Sequence, residues 1–218
     1  IRFSAQLNFK IEKNTYDSVV QNSGLIKNIS IERIRDEFTK IITSPNPEKI
    51  IELKNTGLLK EFMPVINEKI YDGCKETNIL KNLVKNNIQD ISLFYCTLFA
   101  DLTEKETINI MKTLKFDTKT VKETSSLVKY LCLPDEKTKY DIRKNLSKTN
   151  EIFYEKLLKM KKSFFYDDSN KLLYLKQSEN MFNEIISDKD CYSLKNLKIN
   201  GNILKNIGIK NGKNIGII

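Results

Sequence analysis

Two pairs of acidic residues are the first candidates for chemistry in this chain. Asp167 and Asp168 are adjacent, and Asp188 and Asp190 are separated by one residue. Two carboxylates at such a spacing can hold magnesium ions for phosphoryl or nucleotidyl transfer, but they need a strand that presents them and a third carboxylate. The sequence around Asp188 provides neither. We therefore interpret both pairs as turn and helix N-cap residues, and we predict no catalytic residue and no metal ligand in this chain.

Other catalytic chemistry is restricted because the sequence contains no histidine. Triads of the Ser/His/Asp and Cys/His types and metal sites built on imidazole are therefore excluded. The sequence also lacks the glycine patterns of P-loops and dinucleotide-binding loops. No two cysteines form a CxxC pair, so we expect reduced, partly buried thiols at Cys74, Cys96, Cys132 and Cys191.

The positive charge is concentrated in the second half of the chain. Of the formal net charge of +9, residues 1–110 contribute nothing, whereas residues 111–218 carry 22 Lys and Arg against 13 Asp and Glu. This asymmetry predicts that the second half binds a polyanion, although a lysine-rich solvated surface would look the same. We find no bilayer-spanning apolar stretch and no signal peptide, and we expect a soluble, cytoplasmic protein without a membrane partner.

The last residues combine glycine with lysine. Four of the seven glycines lie in residues 199–218, and they are separated by apolar residues and lysines. Glycines at helix boundaries leave backbone N–H groups accessible, so the stretch predicts a surface that binds the phosphates of a nucleic acid without reading its base sequence. The alternative is a pair of glycine C-caps in a small helical hairpin. The predicted RNA-binding residues are Lys198, Lys205, Lys210, Lys213, Gly201, Gly208 and Gly212.

The elements that must position these residues are helices. Apolar residues recur at steps of three and four along nearly the whole chain, and residues 31–42 form an amphipathic pattern with Ser30 as the expected N-cap. Charges of opposite sign four residues apart predict two ion pairs, Arg33 with Glu37 and Asp36 with Lys40. Further helical runs are predicted at 76–88, 90–100, 104–114, 117–131 and 138–163, and residues 169–177 favour a helix over a strand.

Proline and glycine divide the first part of the chain. Pro45 and Pro47 cannot continue the first helix, and Asn46 with Pro47 is a typical start of the next one. Gly57 is expected to close that second helix, and Pro64 to end the apolar run that follows. A soft boundary is expected at residues 133–139.

Four segments resemble, in order and spacing, the bacterial class II tRNA nucleotidyltransferases (CCA-adding enzymes) and the related bacterial poly(A) polymerases. They are "IRFSAQLNFKIEKNT", "ISIERIRDEFTKII", "TGLLKEFMP" and "LKINGNILKNIGIKNGKNIG". The resemblance implies an all-α, elongated helical array with a neck (1–65), a body (66–135) and a basic tail (136–218). It also implies that the α/β catalytic head of these enzymes, with its Mg²⁺ site, is missing from this chain, so the chain alone should be inactive.

The resemblance assigns roles to particular residues. Arg2 matches the final arginine of the helix that pairs with incoming CTP or ATP, and Glu32, Arg33 and Glu37 match the polar positions of the neck motif that supports this helix. The implied partner is tRNA. Two alternatives remain open: the same region of a bacterial poly(A) polymerase, or a non-catalytic helical domain that binds RNA or protein.

Overall fold

The computed structural model describes residues 1–193, Leu197 and Ile203, and within them it contains helices and no strand. The prediction of an all-α fold is confirmed for this part of the chain. The chain divides into two compact units, one formed by residues 1–134 and 156–172, the other by residues 135–155 and 173–218. The division into neck, body and tail stays a prediction.

The first unit begins with short helices that pack on a longer one. They are α1 (Arg2–Leu7), α2 (Lys13–Gln21), a 3₁₀ helix (Ser23–Asn28) and α3 (Ile31–Ile42). Helix α3 begins after Ser30, as predicted, although the Ser30 side chain makes no capping hydrogen bond. Its apolar face is buried against neighbouring helices, because Ile34, Phe38, Ile41 and Ile42 recur on one side.

Proline and glycine set the next boundaries. After a 3₁₀ helix (Pro47–Lys49) come α4 (Ile50–Asn55), α5 (Leu58–Phe62) and α6 (Pro64–Lys69). Gly57 follows Thr56, the C-cap residue of α4, and has φ of 79°, a left-handed conformation that favours glycine, so its predicted role at this helix end is confirmed. Pro64 does more than end a run, because it is also the first residue of α6.

The core of the first unit surrounds α8. The helices here are α7 (Lys75–Lys85), α8 (Ile91–Phe99), α9 (Glu104–Thr113) and α10 (Thr118–Leu131). Every residue of α8 from Ser92 to Phe99 is buried, so this helix is covered on all sides. The side chains of Asp90, Thr103 and Asp117 cap α8, α9 and α10 by accepting hydrogen bonds from backbone N–H groups.

The remaining helices are α11 (Lys139–Lys148), α12 (Glu151–Phe164) and α13 (Ser169–Ser187). The predicted single run 138–163 is wrong, because the chain leaves the helical conformation at Thr149. Asn150 then accepts a hydrogen bond from the backbone N–H of Phe153 at 2.8 Å, which starts α12. Helix α13 confirms the helical interpretation of residues 169–177.

The four cysteines are free thiols, as predicted, with Cys74 and Cys96 buried and Cys132 and Cys191 exposed. Within the described residues, no helix combines the length and the apolar character that a membrane span requires.

Candidate nucleotide and nucleic-acid interface

Arg2 and Glu37, two of the predicted site residues, form an ion pair between α1 and α3. The Nε atom of Arg2 lies 2.5 Å from Oε2 of Glu37. The same guanidinium lies 4.3 Å from the centre of the Phe3 ring, and one of its terminal nitrogens donates to Oε1 of Gln6 at 3.4 Å. A planar guanidinium held on an edge and on a face has a fixed orientation that a lysine ammonium would not have.

Glu37 is bound by two cations. Besides Arg2, it accepts a hydrogen bond from Nζ of Lys40 at 2.9 Å. The Lys40 hydrogen bond, followed by the charge of Arg2, lowers the pKa of Glu37 below its ordinary value. Glu37 is therefore a fully ionised anchor near neutral pH, and the Arg2–Glu37–Lys40 cluster keeps an excess positive charge.

The ion pairs predicted within α3 are not the ones observed. Glu37 binds Arg2 and Lys40 rather than Arg33, and Asp36 binds Arg35, its neighbour in sequence, rather than Lys40. Glu37 has a different partner because of a tertiary contact: helix α1 packs against α3 and brings Arg2 to the Glu37 carboxylate.

A cavity of about 380 Å³ lies beside this cluster in the first unit. Arg2, Arg33 and Glu37 contribute to its wall, so three of the four residues predicted for nucleotide binding and neck support share one cavity. The rest of the wall is mostly apolar and includes Ile34, Phe38, Ile41, Leu58 and Phe62. A cavity with an apolar wall and a charged rim is typical of a binding pocket or of a docking site for another helix.

Glu32 is not part of this arrangement. It lies in the first turn of α3, is exposed, and does not line the cavity. The predicted role of Glu32 as a support for the nucleotide-binding helix stays a prediction.

Arg35 makes a structural contact that the sequence did not predict. Its NH1 atom donates to the backbone carbonyl oxygen of Lys115 at 2.5 Å, and its other nitrogens bind Oδ1 of Asp36 at 2.8 and 2.9 Å. The guanidinium carbon lies 5.2 Å from the centre of the Phe116 ring. Arg35 thus fastens α3 to the turn between α9 and α10. A signal was available, since arginine occurs only four times in the sequence and Arg35 is one of them.

The predicted RNA-binding residues of the tail lie outside the described residues. This applies to Lys198, Lys205, Lys210, Lys213, Gly201, Gly208 and Gly212.

The acidic pairs have structural roles. Asp168 accepts a hydrogen bond from the backbone N–H of Lys171 at 2.9 Å, which is the predicted N-cap role. Asp190 instead forms an ion pair with Arg143 at 2.7 Å, and Asp188 lies 3.9 Å from Lys139. In the part of the chain that the structure describes, no three acidic, cysteine or histidine side chains come together in a way that could hold a metal ion.

Comparison with known proteins finds similarity to one group of RNA-processing enzymes. Residues 8–70 match the family described as the probable RNA and SrmB-binding site of polymerase A. The whole chain aligns at 28% identity with 51% of the CCA-adding enzyme of Ligilactobacillus salivarius. The chain is therefore similar to a CCA-adding enzyme over its whole length and to the RNA-binding family over residues 8–70.

Other relatives match shorter parts of the chain. The CCA-adding enzyme of Pediococcus pentosaceus is 29% identical over 133 residues, which are 61% of this chain and 33% of that protein. The CCA-adding enzyme of Lactobacillus johnsonii is 40% identical over 62 residues, 28% of this chain and 16% of that protein. This chain spans about half the length of the relative that it matches from end to end. The matched family region, residues 8–70, includes α3 and its residue Glu37 but not Arg2.

Proposed function

We propose that the chain is the tRNA-binding region of a nucleotidyltransferase that adds or repairs the 3′ CCA end of tRNA. The observation that carries the proposal is the similarity to CCA-adding enzymes, which extends over the whole chain. The family match at residues 8–70 supports the RNA-binding part of the proposal.

On this proposal, the chain's own contribution to nucleotide binding is the orientation of one arginine. Arg2 presents the terminal nitrogens of its guanidinium, while its Nε atom is held by Glu37. An arginine fixed in this way can form two parallel hydrogen bonds to a base edge or a phosphate. Glu37 acts by positioning Arg2, and Glu32 and Arg33 are proposed to support the same helix.

RNA binding is proposed to use shape and phosphates rather than base sequence. The excess of positive charge in residues 111–218 supports this, since lysines neutralise phosphates and release counterions. The tail residues Lys198, Lys205, Lys210, Lys213, Gly201, Gly208 and Gly212 remain proposed contacts.

Nucleotide transfer itself is proposed to require the rest of the protein. CTP and ATP are the proposed substrates, the cytoplasm is the proposed location, and Mg²⁺ would stabilise the negative charge that develops during transfer. The described residues do not form a site that fits Mg²⁺, so no step is assigned to them through the metal.

A second candidate function is poly(A) addition, and the family description of residues 8–70, which refers to polymerase A, favours it. The two functions use the same kind of RNA-binding region and differ in the nucleotides that are added. They are therefore separated by the reaction product.

The test uses the complete protein encoded by the reading frame that contains this chain. It is incubated with Mg²⁺, labelled CTP or ATP, and tRNA transcripts that end before the CCA sequence. We expect addition of two C residues and one A residue. Long A tails without C would favour the poly(A) function, and the absence of incorporation from both nucleotides would contradict both candidates.

The 218-residue chain alone provides the matched control. It should bind the same tRNA in a filter assay but should incorporate no nucleotide. The reason is that its described residues contain no cluster of carboxylates that could hold a metal ion. Incorporation by this chain would contradict the assignment of catalysis to a missing part.

A further inference from the structure

Four exposed lysines surround the turn between α9 and α10 in the first unit. Lys112 lies in the last turn of α9, Lys115 lies in the turn, and Lys119 and Lys122 lie in the first two turns of α10. We call them the corner lysines. Lys119 and Lys122 share one face of α10, since they are three residues apart. The only acid between Lys112 and Lys122 is Asp117.

The turn that carries these lysines has a defined backbone. The N–H of Phe116 donates to the carbonyl oxygen of Met111, and the N–H of Lys115 donates to that of Lys112. This is the Schellman arrangement of a helix C-terminus, and Lys115 occupies its left-handed position with φ of 58°. Asp117 then caps α10 by accepting from the backbone N–H of Thr120 at 3.0 Å. The two helix ends are therefore closed by their own hydrogen bonds.

Tertiary contacts hold the same turn against α3. Arg35 donates to the carbonyl oxygen of Lys115 and lies over the Phe116 ring, which in turn packs edge-on against Tyr95 with ring centres 4.8 Å apart. The hydroxyl groups of Tyr95 and Thr39 are 2.8 Å apart, which joins α8 to α3. The lysines are thus presented by a rigid support rather than by a loose loop.

The corner lysines are clustered around one turn, and none of them forms an ion pair with an acidic side chain of the described residues. Many of the others are paired, such as Lys27 with Glu61, Lys69 with Asp101 and Lys129 with Glu104. Among the described residues, no carboxylate lies within 4.0 Å of Lys112, Lys115, Lys119 or Lys122. Asp117 is close in sequence, but its carboxylate is occupied by Thr120. Three net positive charges are therefore left for an external anion.

From this arrangement we propose that the corner lysines bind the phosphate backbone of RNA, and that Arg35 positions them by fixing the turn to α3. The proposal rests on the proposed function and adds to it a surface in the first unit, separate from the predicted contacts of the tail. Ammonium groups without base-reading partners bind phosphates irrespective of sequence, and each contact contributes to the salt dependence of binding.

The test compares variants of the complete protein in tRNA filter binding at several salt concentrations. The variant carries Lys112→Gln, Lys115→Gly, Lys119→Gln and Lys122→Gln, with glycine at position 115 because that residue suits the left-handed backbone. We expect binding to weaken roughly tenfold or more. The slope of log affinity against log salt should fall by about 3, close to 1 for each phosphate that the variant no longer neutralises.

Two control variants distinguish a localised RNA-binding site from a general effect of removing positive charge. Glutamine at Lys75, Lys81, Lys85 and Lys105 removes the same charge from exposed lysines of the first unit that lie outside the matched family region, residues 8–70. Lys189→Gly repeats the change of Lys115→Gly, because Lys189 has the same left-handed backbone with φ of 54° but lies between Asp188 and Asp190. Both controls should bind RNA nearly as the unaltered protein does.

The binding results can overturn the proposed surface in two ways. Equal loss of affinity in the corner variant and the control variant with four glutamines would overturn the proposal, as would an unchanged salt slope in the corner variant. In either case tRNA binding by the unaltered protein would leave the proposed function standing. Failure of the unaltered protein to bind tRNA would refute the proposed function and this surface together.

Discussion

The two sides of α3 use arginine in opposite ways. On one side, Arg2 pairs with the Glu37 carboxylate beside a cavity, and the two side chains are 28% and 48% exposed. On the other side, Arg35 binds a backbone carbonyl oxygen and covers an aromatic ring, and its side chain is only 20% exposed. An exposed pair contributes little to stability and leaves donors accessible to a ligand. A half-buried arginine with several partners contributes to stability and has few donors left. The comparison predicts that Arg2 matters for nucleotide binding, and that Arg35 matters for the stability of the turn that carries the corner lysines.

The largest expected effect is on stability and comes from Arg35. Arg35→Ala removes a charged hydrogen bond and the contact with Phe116, so we expect the free energy of unfolding to fall by about 2 kcal/mol. Arg2→Ala should lower it by less than about 1 kcal/mol, because its partner Glu37 is about half exposed and Arg2, unlike Arg35, binds no distant backbone carbonyl oxygen. Urea denaturation of the two variants measures both values, and equal losses would contradict the distinction between the two sides.

Conservative replacement of Arg35 sharpens this prediction. Arg35→Lys keeps the charge but cannot make the several hydrogen bonds of the planar guanidinium. We therefore expect a measurable fall in the free energy of unfolding that is smaller than that caused by Arg35→Ala. Hydrogen exchange of the backbone amides at residues 112–119 should become faster in both variants. Unchanged exchange there would show that Arg35 does not hold the turn.

The next effect concerns ligands and comes from Arg2. In the complete protein, Arg2→Ala should weaken nucleotide selection or turnover roughly tenfold, which corresponds to one charge-assisted hydrogen bond, while tRNA affinity stays within about twofold. Steady-state kinetics with CTP and ATP, together with filter binding of tRNA, test this. Loss of tRNA affinity with unchanged nucleotide kinetics would contradict the proposed role of Arg2.

Backbone strain in the turn between α9 and α10 predicts a smaller effect on stability, and of the opposite sign. Lys115→Gly relieves a left-handed lysine, so we expect an increase in stability of about 0.5–1 kcal/mol. Lys189→Gly should stabilise the second unit by a similar amount for the same reason. Thermal unfolding measures both, and destabilisation by Lys115→Gly would show that its side chain contributes to the packing of the turn.

Local features of this fold could be read from the sequence, whereas contacts between distant segments could not. Helix α3, its start after Ser30 and the left-handed Gly57 were predictable, because apolar spacing, capping and glycine conformation depend on neighbouring residues. The partners of Glu37 and Arg35 were not, because Arg2 is 35 residues away and Lys115 is 80 residues away. The break at Thr149 also escaped prediction, since neither proline nor glycine marks it.

The candidate site was likewise only partly predictable from the sequence. Arg2, Arg33 and Glu37 were assigned by resemblance, and the structure brings them to one cavity. The corner lysines were visible only as part of an excess of charge in residues 111–218. What distinguishes them is their place around one turn that Arg35 holds against α3, and that contact joins residues 80 positions apart in the sequence.

The smallest expected effect is the pH dependence of the Arg2 side of α3. The pKa of Glu37 is lowered in the folded protein, so the carboxylate favours folding at pH values above its unfolded pKa, near 4.3. This stabilisation is lost as the pH falls through the still lower folded pKa. Because Glu37 is about half exposed, this stabilisation amounts to less than about 1 kcal/mol.

The unaltered protein should therefore exceed Glu37→Gln in the free energy of unfolding at pH 6, and the difference should disappear toward pH 3. Urea denaturation across this range measures the difference, with Glu32→Gln as a matched control because Glu32 is exposed on the same helix. A difference that is the same at pH 6 and at pH 3 would contradict the prediction, because it would mean that Glu37 stabilises the fold by packing rather than by its charge.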